Sequence, residues 1–327
     1  MYRWKKVLLL SLLLFWIPLM LTGWVARVES QDKYPDKAID IIVPVPPGGG
    51  ADLFSRVTAD FLKKKWGVSV RVVNKPGGGT VIGAQEVYKA APDGYTILSD
   101  APLGDTMLEI TIKDLPFKVL DRTFIASVVR TPYVFYVPST SPSKSLKDVE
   151  ADVKNDPSHF TWGLFGGAGP ADFPSRQFFK AIGLDISKTK PVAIRGGAET
   201  LTLLAGGHIK LGVSSPASGL PHIRAGTVRV VAVTGYRAPQ FPEIPTAVEQ
   251  GYPTVTAVSY YGFSGPPKLP PHIVAKWEEA LQEMLKTQAF VSKLQTLDQD
   301  PFYINSHDLR EFVKHGMEEA AKLWGLK

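Results

Sequence analysis

Four glycine clusters are the feature of this sequence that could form a binding site for an anion. They lie at positions 48–50, 77–79, 166–169 and 196–197, and each stands between an apolar, β-branched run and a helical pattern. The first turn of a helix has backbone N–H groups without helical partners, and glycine lets an oxygen atom approach them closely. If the clusters converge, they form a site for a small carboxylate, since each hydrogen bond to a charged group contributes about 1.5–3 kcal/mol.

Phosphate is the competing anion, but the phosphate-binding motifs are incomplete here. Alanine and glutamine follow Gly83, where a P-loop has lysine and then serine or threonine. The dinucleotide fingerprint fails as well, because Ile82 and Asp172 occupy the third glycine positions of the second and third clusters. We therefore expect no nucleotide and no other cofactor.

Catalytic constellations are also incomplete. Ser214 and Ser264 stand in sequences that do not complete the Gly-x-Ser-x-Gly nucleophile elbow. The six histidines are scattered without metal-ligand spacing, and the chain has no cysteine, which excludes disulfides and thiolate chemistry. These observations predict a binding protein without a metal site rather than an enzyme.

The elements that must position the clusters repeat the order of strand, glycine turn and helix. This alternation predicts an α/β fold with parallel sheets, and the placement of two units before residue 130 and two between 150 and 210 predicts two similar domains. The proline-rich segments 131–144 and 265–271 are predicted to be crossovers between the domains. Helices are predicted at about 51–65, 80–90, 171–182, 198–205, 272–286 and 306–323.

The length and composition agree with this interpretation. A chain of 327 residues is long enough for about two domains. Hydrophobic residues make up 44% and charged residues 21%, an ordinary balance that excludes disorder and a protein with many membrane spans. The net charge is +6, and beyond the first 30 residues it forms no basic stripe, so no nucleic acid is expected as a partner.

A basic and then apolar N-terminus indicates export. Arg3, Lys5 and Lys6 precede an apolar run at positions 7–26, which is the pattern of a secretory signal cleaved before Gln31. An uncleaved membrane anchor is the alternative, because a run of this length can span a bilayer. Both interpretations place the rest of the chain in the periplasm or at the extracytoplasmic face of the cytoplasmic membrane.

Several motifs resemble one known family. They read NKPGGG at 74–79, PDGYT at 92–96, RGGA at 195–198 and IPT at 244–246. Over residues 34–327 the chain resembles the tripartite tricarboxylate transporter solute receptors, also called the Bug family. The resemblance implies a two-lobed type II periplasmic-binding-protein fold, in which each lobe is a mostly parallel sheet flanked by helices. It further implies a monomer that binds a small organic carboxylate between its lobes and delivers it to an integral-membrane permease.

The resemblance also implies domain boundaries and ligand contacts. After the N-terminal segment 1–30, residues 31–131 plus 260–327 are expected to form a discontinuous first lobe, and residues 132–259 the second. Asp52 is expected either to cap its helix or to orient the loop before it. The implied ligand-binding residues are Gly48, Gly49, Gly50, Gly77, Gly78, Gly79, Asp100, Gly167, Gly169, Arg195 and Gly197.

The chain departs from the family pattern at two places. The third loop lacks the two hydroxyl residues and the histidine usual in the family, since Ala168, Pro170 and Phe173 stand in their place. Asp100 and Asp172 are added acidic residues near the expected mouth of the cleft. They are either solvent-facing cap residues or residues that line the cleft. In the second case we expect a ligand with an ammonium or hydroxyl group to be favoured over a plain dicarboxylate.

Two other functions stay open at this point. The same fold could serve as an extracytoplasmic sensor that presents its ligand-bound form to a signalling partner. It could also support an exported enzyme, although no acid–base pair stands out in the sequence.

Overall fold

Strands and helices alternate along the chain in the computed structural model, which describes residues 34–48, 50–166, 169–297 and 299–325. The N-terminal segment predicted to be a signal or an anchor lies outside these residues. The strands are β1 Ile39–Val43, β2 Val70–Asn74, β3 Thr96–Asp100, β4 Thr123–Pro132, β5 Val134–Pro138, β6 Thr161–Leu164, β7 Lys190–Ala193, β8 Gly212–Ser214, β9 Val228–Val233, β10 Val258–Gly265 and β11 Asp300–Ile304. The helices are α1 Gly50–Trp66, α2 Val81–Tyr88, α3 Pro102–Asp105, α4 Leu108–Thr111, α5 Leu146–Asn155, α6 Asp172–Ala181, α7 Gly197–Ala205, α8 Pro216–Arg224, α9 Pro271–Leu285, α10 Gln288–Thr296 and α11 Ser306–Trp324.

The strands divide between two lobes. Six of them form one sheet in the order β11-β4-β10-β3-β1-β2, and this sheet with its helices is called the first lobe. The second lobe contains a sheet in the order β8-β5-β9 and the pair β6-β7, which a bridge between Trp162 and Leu211 joins beside β8. Helices flank both sets of strands, so the predicted two-lobed α/β fold is confirmed.

The prediction that each sheet is mostly parallel is wrong. In the first lobe β1 runs parallel to β2 and β3, but β10 runs antiparallel to β3 and β4, and β11 antiparallel to β4. In the second lobe β5 is antiparallel to both β8 and β9. The reason is the path of the chain: β4 carries it out of the first sheet and β10 brings it back, so the two strands must run in opposite directions.

The chain passes between the lobes twice. It leaves the first sheet at the end of β4, where Tyr133 separates β4 from β5, and it returns just before β10. The segment 265–271 is not a crossover as predicted, because it joins β10 to α9 within the first lobe. There Leu269 is buried and its N–H donates to Thr123 Oγ1 at 3.1 Å, so these prolines turn the chain into a helix instead of carrying it across.

Alternating side chains of the strands explain why helices cover both faces of the first sheet. Ile41 faces the cluster that includes Phe54 of α1 and Trp277 of α9, and its neighbour Ile42 faces the cluster that includes Leu309 of α11. Each such side chain stabilises the fold by about 1.5–3 kcal/mol through burial. The helices cover the faces of the sheet, and the loop after β1 leads to Gly50 on the side that faces the second lobe.

The C-terminal helix α11 contacts both lobes. Its N-terminal part packs Leu309 and Val313 into the first lobe. Further along, Glu319 Oε1 accepts a 2.8 Å hydrogen bond from Gln177 Nε2 of α6, and Trp324 lies against Phe173 of the same helix. Within the four described ranges, no helix has the combination of length and apolar character that a membrane crossing requires.

Candidate functional site

A cavity of about 450 Å³ lies between the two lobes. The first lobe contributes Gly50 at the start of α1 and Ser259 and Tyr261 of β10. The second lobe contributes residues at the carboxyl ends of its strands, including Phe165 after β6 and Ser214 at the end of β8. The cavity is also lined by Thr131, Pro132 and Tyr133, where the chain passes from the first lobe to the second. Both lobes and the connection between them therefore shape the cavity.

Two of the predicted glycines, Gly50 and Gly197, come from different lobes and both line this cavity. A Cβ atom on Gly50 would lie 2.6 Å from the hydroxyl oxygen of Tyr261. A Cβ atom on Gly197 would lie 2.2 Å from the Ser214 hydroxyl oxygen. Both distances are shorter than real contacts, so a side chain at either position would displace a hydroxyl group that now approaches the backbone closely.

The first predicted loop is held by a carboxylate of its own helix. Asp52 Oδ2 accepts a 2.9 Å hydrogen bond from the backbone N–H of Gly48 and a 3.0 Å hydrogen bond from Arg56 Nε. Asp52 Oδ1 accepts from Asn74 Nδ2 at 2.9 Å, which ties the first turn of α1 to the end of β2. Burial raises the pKa of Asp52, but these hydrogen bonds outweigh it and leave the pKa below its ordinary value. The expected capping residue therefore also orients the loop.

The third loop uses the same device. Asp172 accepts hydrogen bonds from the backbone N–H groups of Phe165 at 2.6 Å and Gly169 at 2.9 Å. Asp172 is buried and is not among the residues that line the cavity, so it is neither a solvent-facing cap residue nor a cleft residue and instead braces the loop before α6. The N–H groups of Gly48 and Gly169 are thus engaged within the protein. Gly49 and Gly167 lie outside the described residues.

The remaining predicted loop residues lie away from the cavity lining. The side chain of Arg195 is 91% exposed and pairs with Glu199, whose carboxylate also accepts from the Arg195 backbone N–H at 2.7 Å. Gly77, Gly78 and Gly79 adopt positive φ angles in the turn that leads into α2. Their conformation explains why glycine is required in this turn, and none of the three is among the residues that line the interlobe cavity.

Asp100 is an interior residue and not a solvent-facing cap. Its Oδ1 atom accepts a 2.7 Å hydrogen bond from Arg122 Nη1, and both side chains are fully buried. Arg122 also pairs with Asp105, whose second oxygen accepts from the Tyr260 hydroxyl at 2.5 Å. Burial, which outweighs the attraction of the Arg122 charge, raises the pKa of Asp100 to about 7.

Sequence reasoning missed the hydroxyl groups of the cavity. Ser259 hydrogen-bonds to the two tyrosines at the crossing, Tyr133 and Tyr261, and burial raises the pKa of both phenols. Ser215 and Ser218 are hydrogen-bonded to each other at 3.1 Å. The signal that could have revealed them is the run Ser214-Ser215-Pro216 directly after a strand, since a strand end before a helix faces the cleft. The other residues that line the cavity are Pro170, Ala171, Ile194, Gly196, Thr200 and Val213.

The arrangement suits binding rather than chemistry. Hydroxyl groups and helix N-termini can donate hydrogen bonds to an anion without reacting with it. Among the residues described, no three His, Asp or Glu side chains are gathered so that they could hold a metal ion.

Comparison with known proteins identifies the family. The family described as "Tripartite tricarboxylate transporter family receptor" matches residues 54–324. The protein BugT of Bordetella pertussis is 30% identical over 297 residues, which cover 89% of this chain and 90% of BugT. The solved structure of the periplasmic binding protein BugD is 25% identical with a TM-score of 0.72, and the match covers 89% of this chain and 98% of BugD.

A second solved structure supports the fold. The R. palustris protein Rpa4515 with adipate has a TM-score of 0.75 at 24% identity, and the match covers 89% of this chain and 98% of that protein. The family consists of solute-binding receptors and not enzymes, in agreement with the incomplete catalytic motifs. By its motifs, its fold and these matches, the chain belongs to the tripartite tricarboxylate transporter receptor family, also represented by the Bug proteins.

Proposed function

We propose that this protein is an extracytoplasmic receptor that binds a small organic carboxylate between its lobes and delivers it to a tripartite tricarboxylate-type permease in the membrane. The observation that carries the proposal is the interlobe cavity, in which Gly50 and Gly197 from opposite lobes bring hydroxyl groups close to the backbone. A carboxylate in this cavity accepts hydrogen bonds from both lobes at once. The adipate bound by Rpa4515 gives a dicarboxylate precedent for this fold.

The expected division of the chain fits this role. We propose lobe boundaries at residues 31–131 plus 260–327 and 132–259. The strands of one sheet fall within the first set except for the last residue of β4 and the start of β10, and those of the other sheets fall within the second. A ligand that contacts both lobes stabilises a closed state, since it binds that state better than an open one. The permease then recognises the closed receptor as a monomer.

We further propose that the basic and apolar N-terminus exports the chain to the periplasm, either as a cleaved signal or as an anchor.

The binding step is tested by thermal denaturation and calorimetry with a panel of carboxylates. The panel contains monocarboxylates, dicarboxylates of four to six carbons, a tricarboxylate and amino acids. We expect at least one of them to raise the melting temperature of the protein and to give a saturable binding isotherm. A protein that responds to none of these compounds is not a carboxylate receptor.

The delivery step needs a test in cells. Deletion of the gene should abolish uptake of the ligand that the panel identifies, and a plasmid copy should restore it. If deletion leaves uptake intact and removes only induction of genes by that ligand, the sensor function is correct and the transport function is not.

A further inference from the structure

A second and smaller cavity, of about 30 Å³, lies at the carboxyl ends of β1 and β3. Thr80, Ser99 and Asp100 are its polar lining residues. One of its lining residues is Ala51, which directly follows Gly50, a lining residue of the interlobe cavity. The apolar part of its lining consists of Pro44, Val45, Ala51, Ala84, Leu98 and Ala101.

Two polar atoms in this cavity are buried without a partner. Thr80 is 5% exposed and Asp100 is 1% exposed. Neither Thr80 Oγ1 nor Asp100 Oδ2 has a hydrogen-bond partner among the described residues. Buried polar atoms in native proteins are almost always hydrogen-bonded, so two orphaned oxygens in one small cavity indicate a missing occupant that donates hydrogen bonds.

The charges around Asp100 indicate the same kind of occupant. Arg122 brings one positive charge to two buried carboxylates, Asp100 and Asp105. Asp105 uses its two oxygens for Arg122 and Tyr260, and Arg122 Nη1 also donates to Ser264 Oγ at 3.1 Å. The buried cluster is therefore one positive charge short of neutrality when both carboxylates are ionised. Asp100, whose second oxygen Oδ2 has no partner among the described residues, is one of the residues that line the cavity.

The backbone at Thr80 holds its hydroxyl in an unusual position. Thr80 has a φ of +89°, in the left-handed region that a β-branched residue adopts at a cost in energy. Such strain persists where the surrounding structure fixes it, and it is concentrated at binding sites. Here it accompanies a buried hydroxyl that the protein itself leaves without a partner.

We propose that this cavity is a subsite for a hydrogen-bond-donating substituent of the bound carboxylate, an ammonium or a hydroxyl group. The inference rests on the proposed carboxylate-receptor function and names the class of ligand. An ammonium group is favoured over a hydroxyl group when Asp100 is ionised, because its positive charge then balances the second carboxylate of the cluster. The cavity volume admits one group of about the size of a water molecule, which matches a single ammonium or hydroxyl substituent.

The test compares ligands that differ only in this substituent. Succinate, malate and aspartate share a four-carbon dicarboxylate skeleton, and glutarate and glutamate give the same comparison with five carbons. Isothermal titration calorimetry should show the amino acid or hydroxy acid binding at least about tenfold more tightly than the unsubstituted acid, the loss expected for one missing hydrogen bond to a charged group. Equal affinity, or tighter binding of the unsubstituted acid, overturns the subsite.

Two variants check the residues. Asp100→Asn keeps the shape and a hydrogen-bond acceptor for Arg122 but removes the charge, and Thr80→Val removes only the hydroxyl. Each should reduce the preference for the substituted acid to about twofold or less. The control is Thr58→Val, which removes another buried and unpartnered hydroxyl, on α1 away from the cavity, and should leave the preference as it is. If Asp100→Asn does not fold, the preference of Thr80→Val for the substituted acid tests the subsite by itself.

The outcomes separate the two proposals. If carboxylates bind without regard to the substituent, the subsite is wrong and the receptor function stands. If Thr80→Val and Asp100→Asn alter the melting temperature but not the preference, the cavity holds a structural water and the subsite is again wrong. If no carboxylate binds, the receptor function fails and the subsite fails with it.

Discussion

The carboxylate of Asp52 accepts a 2.9 Å hydrogen bond from the backbone N–H of Gly48, so a loop that the sequence marks as anion-binding is held by an anion of the protein itself. Asp172 does the same for Gly169 in the other lobe. A carboxylate in the first turn of a helix is stabilised by the helix dipole and fixes the preceding loop. We therefore expect a ligand to meet a rigid loop, with the hydroxyl groups of the cavity sharing its recognition with the remaining backbone N–H groups.

Asp52→Ala should destabilise the protein. The substitution removes the partner of Gly48, Arg56 and Asn74 in one step, and we expect the free energy of unfolding to fall by about 1–3 kcal/mol. Chemical denaturation measures this loss. Asp60→Ala is the matched control, since Asp60 is an exposed residue of the same helix and its removal should change stability by less than about 0.5 kcal/mol. Equal stability of the two variants would contradict the bracing role of Asp52.

Gly197→Ala should weaken carboxylate binding. The added methyl group collides with the hydroxyl groups of Ser214 and Ser218 at 2.2 and 2.6 Å, so these groups must leave the positions they hold in the cavity. We expect an affinity at least about tenfold lower by calorimetry. Gly183→Ala is the control, because Gly183 has a φ of +70° in the turn after α6, where alanine strains the backbone outside the cavity. An unchanged affinity in Gly197→Ala shows that these hydroxyl groups do not contact the ligand.

Local signals were sufficient to predict the units that form the cleft. A glycine cluster followed by an amphipathic pattern gave α1 within one residue at each end, and the β-branched run 228–233 is β9. These elements depend on turn chemistry and periodicity within a short window. The same signals singled out Gly50 and Gly197, which begin α1 and α7 and both line the interlobe cavity.

The crossing strands could not be predicted in this way. Strand β4 is buried on both faces and shows no alternation, and β10 contains Gly262, which resembles a loop residue. Gly262 is needed in the strand because a Cβ atom there would lie 2.4 Å from the carbonyl oxygen of Ala126.

The environment of Asp100 could not be predicted from local sequence either. Its partner Arg122 lies 22 residues away and contacts it only through the tertiary fold.

Asp100 should make stability depend on pH. Its pKa is about 7 in the folded protein and 3.8 in an ordinary environment, so between about pH 4 and pH 7 the folded state holds a proton that the unfolded chain has released. Stability from this group is therefore present at the acid end of that window and is lost as the pH rises to 7. The surrounding charges are Arg122, which lowers the pKa, and Asp105, which raises it.

The measurement is the free energy of unfolding at pH 5 and at pH 8 for the protein and for Asp100→Asn. The protein should lose more stability than the variant between these two pH values, because asparagine does not titrate. The difference between the two chains isolates Asp100 from other groups that titrate in this range. If the stability of the protein and of Asp100→Asn changed equally between pH 5 and pH 8, Asp100 would be ionised in the folded state over that whole range.

A hydrogen bond between a tyrosine of the second lobe and a carboxylate at the start of β11 connects the two lobes. Tyr236, which follows β9 in the second lobe, donates from its hydroxyl to Asp300 Oδ2 of the first lobe at 2.5 Å. The ring of Tyr236 also lies 3.9 Å from the guanidinium of Arg130. Burial and the neighbouring carboxylate raise the pKa of Tyr236, so the hydroxyl keeps its proton and remains a donor.

Tyr236→Phe should favour an open arrangement of the lobes. The ring keeps its contact with Arg130, so the substitution removes only the interlobe hydrogen bond, and we expect ligand affinity to fall by about threefold to tenfold because closure then costs more. Tyr95→Phe is the matched control, since Tyr95 donates to Asp36 at 2.6 Å within the first lobe. Calorimetry with the ligand identified from the panel gives the affinities, and small-angle scattering of the ligand-free protein should show a larger radius of gyration only for Tyr236→Phe. If both variants bind and scatter alike, the hydrogen bond stabilises the fold without controlling closure.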